Sequence, residues 1–62
     1  MSDITQDTLE MLYKMLKHTK ISIAHAEHRN ARQDEMENLH RKVQILDHLI
    51  ELTLKEDVAR EH

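Results

Sequence analysis

His28-Arg29-Asn30-Ala31-Arg32-Gln33-Asp34-Glu35-Met36-Glu37 is where the chain changes direction. No strongly apolar residue occurs between His28 and Gln33, although helical patterning runs up to this stretch on one side and away from it on the other. The chain has no glycine and no proline, so Asn30 is the residue best able to take a left-handed turn conformation. Asp34, followed three positions later by Glu37, has the spacing of a capping box and marks the start of a second helix.

Working back toward the N-terminus, Leu9, Leu12, Leu16 and Ile23 recur at helical spacing and form one narrow stripe. Thr19 and Ala26 continue it weakly, and Met11 and Met15 widen it on one side. The helix is expected to begin near Asp3 or Thr5, because Asp3 and Gln6 have capping-box spacing. Asp7 and Glu10 then place negative charge on the early turns, where the helix dipole favours it. Working forward, Met36, Leu39, Val43, Leu46 and Ile50 recur in steps of three and four, with Leu54 and Val58 as an extension. The pattern predicts an all-α, single-domain antiparallel two-helix hairpin over 1–62. Helix one is expected at about 4–28, the turn at about 29–34 and helix two at about 35–58, with arms about 35 Å long. The competing reading is one continuous helix in an extended coiled coil, which the paired lapse and cap disfavour.

The 62 residues make one domain at most. A chain this short buries only about 60% of its unfolded surface, so oligomerisation, a metal or disulfides usually support such domains. There is no cysteine for a disulfide, and the only aromatic residue is Tyr13. The core therefore has to come from aliphatic side chains, which suits helix packing. Hydrophobic residues make up 39% of the chain and charged residues 34%, too much patterned apolar content for a disordered segment. The apolar runs are too short to span a membrane and no cleavable leader is visible, so a cytoplasmic location is expected.

Helix two carries a second apolar stripe, Ile45, Leu49 and Leu52, which a helical wheel places almost opposite the first. A hairpin has one partner helix and can cover one stripe. The second would remain as an exposed apolar strip, which soluble monomers usually avoid. We therefore expect the chain to pair with itself, dimer favoured, through Ile45, Leu49 and Leu52 with Met11 and Met15, giving a four-helix bundle. A different protein bound on the same strip is the rival expectation.

Charge is unevenly distributed. Residues 1–13 carry three acids, residues 14–32 carry five bases against Glu27, and residues 33–62 carry eight acids against four bases. A folded hairpin would set much of the basic block beside an acidic helix. Lys14, Lys17, His18 and Arg32, with His25 and His28, form a basic ridge on the polar side of helix one that could meet the phosphates of RNA, DNA or a nucleotide. The net charge of −3 argues against generic nucleic-acid affinity. The acids of helix two suggest mimicry of DNA only weakly, because Arg41, Lys42, Lys55 and Arg60 interrupt them.

Six histidines are present. His25 and His28 lie one turn apart before the turn, and Glu37 and His40 have Glu-x-x-His spacing after it. These four are the candidate metal ligands. An aliphatic inward stripe and the shortage of converging carboxylates make exposed histidines the expected outcome, so no metal or other cofactor is assigned. Clustered histidines could still make that end sensitive to pH. No catalytic residue is assigned either. Ser2 and Ser22 are the only serines, no nucleophile is paired with a base, and the chain is not expected to be an enzyme.

The plan is similar, in length and dimer-forming logic alone, to small helical-hairpin regulators such as the plasmid RNA-binding proteins of the Rop type; no local motif carries their RNA contacts over. The segment Leu46-Asp47-His48-Leu49-Ile50 resembles the Leu-Asp-x-Leu-Ile end of the short signature of sporulation-type aspartyl-phosphate phosphatases. Val43 and Gln44 stand where that signature has its polar Ser-Gln pair. The functional expectation is a small bacterial or phage regulator or adaptor that binds another protein as a homo-oligomeric helical bundle. The alternative is a nucleic-acid or nucleotide binder that uses the basic ridge.

Overall fold

The computed structural model describes residues 3–61. Ser2 and His62 lie outside them. The described residues form two helices, α1 (Asp3–His28) and α2 (Gln33–Glu61), packed as an antiparallel hairpin with no strand among them. The single continuous helix is thereby excluded. The molecule is long and thin, 48 × 16 × 10 Å. Its arms exceed the expected length because α2 begins at Gln33 and continues to Glu61.

The turn is built around Asn30, which adopts φ 55°. The Ala31 amide reaches back to the Ala26 carbonyl at 2.9 Å, and the Asn30 amide donates to the Glu27 carbonyl at 3.2 Å. This pair of bonds is a Schellman motif, which satisfies carbonyls that the end of α1 would otherwise leave open. Its usual apolar contact is supplied by half-buried Ala31 near Ala26, the latter only 1% exposed. A salt bridge between Arg29 and Glu35 spans the turn on the surface.

The expected Asp34–Glu37 capping box is not formed. The chain re-enters helix two residues too early for it: the Arg32 carbonyl accepts the Met36 amide, so Arg32 holds the capping position. Asp34 lies inside the first turn, where its carboxylate accepts the Glu35 amide at 3.0 Å. Asp34 and Glu35 still favour the start of α2 through the dipole.

The seam between the helices follows steps of three and four along both chains, the 3.5-residue repeat of a coiled coil. From α1 it takes Thr5, Leu9, Leu12, Leu16, Thr19, Ile23 and Ala26, and from α2 Met36, Leu39, Val43, Leu46, Ile50, Thr53 and Asp57, all buried or half-buried. Thr19 and Ala26, weak members of the stripe by hydrophobicity, are among its most buried residues. The Thr19 hydroxyl donates to the Met15 carbonyl at 2.8 Å, which removes the cost of burying it.

Leu54 and Val58, expected to extend the core, are exposed. Two successive steps of four rotate a stripe away from a seam that repeats every 3.5 residues, and Thr53 and Asp57 take the inward places instead. The seam is therefore aliphatic toward the turn and polar at the open end, where Thr5, Thr8, Thr53, Glu56 and Asp57 line a small cleft with Ile4.

Candidate protein-binding face

A seam with this repeat fixes which residues flank it. On one side of α1, the row beside the seam is Thr8, Met15, Ser22 and Arg29, with Met11 and His18 just outside it. On the same side of α2 the row is Glu35, Lys42, Leu49 and Glu56, with Ile45 and Leu52 just outside. The cross-helix neighbours confirm the register. Arg29 meets Glu35, Ser22 shares a cleft with Lys42, and Thr8 shares one with Glu56. Evenly spaced between these pairs, Met15 stands opposite Leu49.

Met11, Met15, Ile45, Leu49 and Leu52 consequently lie together on one broad flank of the hairpin. Each is between 41% and 64% exposed. The wheel reading that set Ile45, Leu49 and Leu52 opposite the seam is corrected here. They sit roughly 80–130° from it: even at about 100° per residue a wheel puts them about 100–160° from the middle of the first stripe, and the coiled-coil repeat turns each row a little further toward the partner helix. That displacement brings the stripe of α2 alongside the methionines of α1 and makes one surface from two helices.

Other expected site residues are placed less compactly. Lys14, Lys17 and His18 are all exposed on the back of α1, but they fan around it. Lys14 points directly away from α2, with Lys17 and His18 to either side. Arg32 is exposed in the connector, roughly 20 Å further along the axis. The candidate ligands His25, His28, Glu37 and His40 are exposed and do not converge. His25 lies on the apolar flank's side, and Glu37 and His40 lie on the other. Among the described residues no three His, Asp or Glu side chains are grouped to hold a metal ion.

One feature went unseen in the sequence. On the opposite flank, Tyr13, Leu16, Lys17, Lys20, Ile21 and Ala24 line a shallow apolar groove edged by two lysines. Its signal was the 13-17-20-24 spacing, hidden because apolar and basic residues alternate along it. On α2 the exposed Glu51 carboxyl is held below the ordinary carboxylate value by a hydrogen bond from Lys55 and by that ammonium's charge, opposed by slight desolvation. The Lys55 amine lies 2.9 Å from it, one helical turn along.

No helix among the described residues is long and apolar enough to cross a membrane. Compared with protein families, with curated protein sequences and with solved structures, the chain finds no match in any of the three.

Proposed function

We propose that this chain is a small regulatory or adaptor protein that works by binding another protein while itself a homo-oligomeric helical bundle, a dimer in its simplest form. The observation that carries this reading is the apolar flank of Met11, Met15, Ile45, Leu49 and Leu52. Covering it removes about half of five large side chains from water, worth about 1 kcal/mol each or about 10 kcal/mol for two copies. Association costs about 4–15 kcal/mol in lost freedom, so the flank is of the right order to hold a bundle together.

A bacterial or phage cytoplasm is the setting expected for a regulator of this size. Purification of the tagged chain from its native cells tests the role. A protein retained by the wild type and lost with Leu49→Asp, in a variant whose circular dichroism remains helical, supports it. A protein that binds both equally contradicts it.

The second reading is phosphate or nucleic-acid binding through Lys14, Lys17, His18 and Arg32. It is favoured by the exposure of all four, with Lys14 and Lys17 on the back of α1 away from the apolar flank. Such binding would weaken steeply with salt and disappear on removal of the Lys14, Lys17 and Arg32 charges.

A further inference from the structure

The fold sorts formal charge along the hairpin's length. The half with the open end, residues 3–16 and 46–61, carries eight acids and three bases. The half with the turn, residues 17–45, carries four acids and six bases. One half is thus −5 and the other +2, and four of the histidines lie in the positive half.

We propose that two copies associate through the Met15–Leu49 flank with their long axes antiparallel, about a twofold axis that passes near Leu49 perpendicular to the hairpin. The proposal rests on the homo-oligomer reading above and adds the orientation. Its first support is area. The chain exposes 5178 Å², whereas a compact monomer of 7.4 kDa exposes about 4,200 Å². The excess is close to the ~800 Å² per partner that a standard interface buries.

Apolar contact alone does not choose between parallel and antiparallel copies, because the patch superposes on itself either way. Charge chooses. Parallel copies lay −5 against −5 at the open half and +2 against +2 at the turn half, while antiparallel copies lay each acidic open half beside the other's basic half. The flank itself has the symmetry such an axis requires. Lys42, Leu49 and Glu56 are consecutive members of one row, seven residues apart. Rotation about Leu49 therefore brings Lys42 of each copy level with Glu56 of the other. The same rotation brings Ser22 level with Thr8 across Met15.

The absence of cysteine makes the test clean. Gln33 is exposed at the turn end on the flank away from the apolar patch, and its side chain bonds within α2, to Glu37, so Gln33→Cys can carry a spin label outside both the seam and the flank. Antiparallel copies separate the two labels by about 50 Å, from the helical rise over twice the sixteen residues to Leu49. Parallel copies bring them to about 20–25 Å, the thickness of two stacked hairpins. A short distance overturns the orientation and leaves the homo-oligomer reading standing. A labelled chain that gives no intermolecular distance and sediments as a single copy overturns both. As a second measurement, Lys42→Glu weakens dimerisation several-fold, and Lys42→Glu combined with Glu56→Lys recovers most of it. Failure of the double variant to recover contradicts the antiparallel pairing.

Discussion

The two long flanks of the hairpin are made by the same helices under the same repeat, yet they present different chemistry. One carries Met11, Met15, Ile45, Leu49 and Leu52 in a continuous strip. The other alternates Gln6, Tyr13, Lys20 and Glu27 with Gln33, His40, Asp47 and Leu54, so that its apolar atoms are divided among charges. The seam needs neither flank in order to close. The apolar flank is the one proposed to be covered by a second copy, and on the mixed flank charges surround a shallow groove.

Substitutions in the seam, the two flanks and the turn should differ widely in effect. Removing seam volume has the largest effect, since Leu46 is only 3% exposed and few large side chains share its burial. Leu46→Ala is expected to cost about 2–5 kcal/mol, enough in so small a domain to leave much of the chain unfolded in a urea titration. Next comes the contrast between the flanks. Leu49→Asp places an unpaired charge in the proposed interface, which costs several kcal/mol. Gel filtration is expected to move to the single-chain position with helicity retained. Tyr13→Asp on the mixed flank is expected to leave the elution volume unchanged, and an equal shift for both variants would erase the distinction between the two surfaces.

The turn supplies the third, smaller effect. Asn30 sits at φ 55°, where a Cβ-bearing residue without a short polar side chain costs about 1–2 kcal/mol. Asn30→Ala should lower the urea midpoint accordingly, while Asn30→Gly should hold it or raise it slightly. The smallest effect belongs to the exposed Glu51–Lys55 pair. With Lys55→Ala, the Glu51 carboxyl should titrate nearer the ordinary carboxylate value, as followed by NMR. Its folded-state value is depressed, so the pair's contribution is present above the unfolded value and is lost as pH falls through the folded one. That acid-side loss should vanish in the variant, with little change at neutral pH.

Much of this architecture could be read from local chemistry. Asn30 was identifiable because a chain without glycine leaves few residues for a left-handed position, and the aliphatic stripes on either side of it announced the hairpin. Three things were not legible, for physical reasons. Asp34 has the residue type and spacing of a cap, but the Schellman motif brings the chain back into helix at Gln33 and gives the capping place to Arg32. Leu54 and Val58 outrank Thr53 and Asp57 in hydrophobicity, yet register is set by the whole seam, and the polar pair falls on the 3.5-residue repeat. The position of Ile45, Leu49 and Leu52 depends on how α2 is rotated against α1. A wheel of α2 alone gives their angle from the seam to within the small correction of the 3.5-residue repeat, but it does not contain α1, so the adjacency to Met11 and Met15 comes only from pairing the two helices. Lys14, Lys17 and His18 are exposed, and their spread around α1 follows from the helical turn per residue alone.

The proposed bundle requires that a second copy covers the apolar flank. Sedimentation equilibrium of the wild-type chain across micromolar concentrations measures this directly. The prediction is a mass twice the 7.4 kDa of the chain, reduced to one chain by Leu49→Asp. A well-folded helical particle of a single chain's mass at the highest concentration would contradict it.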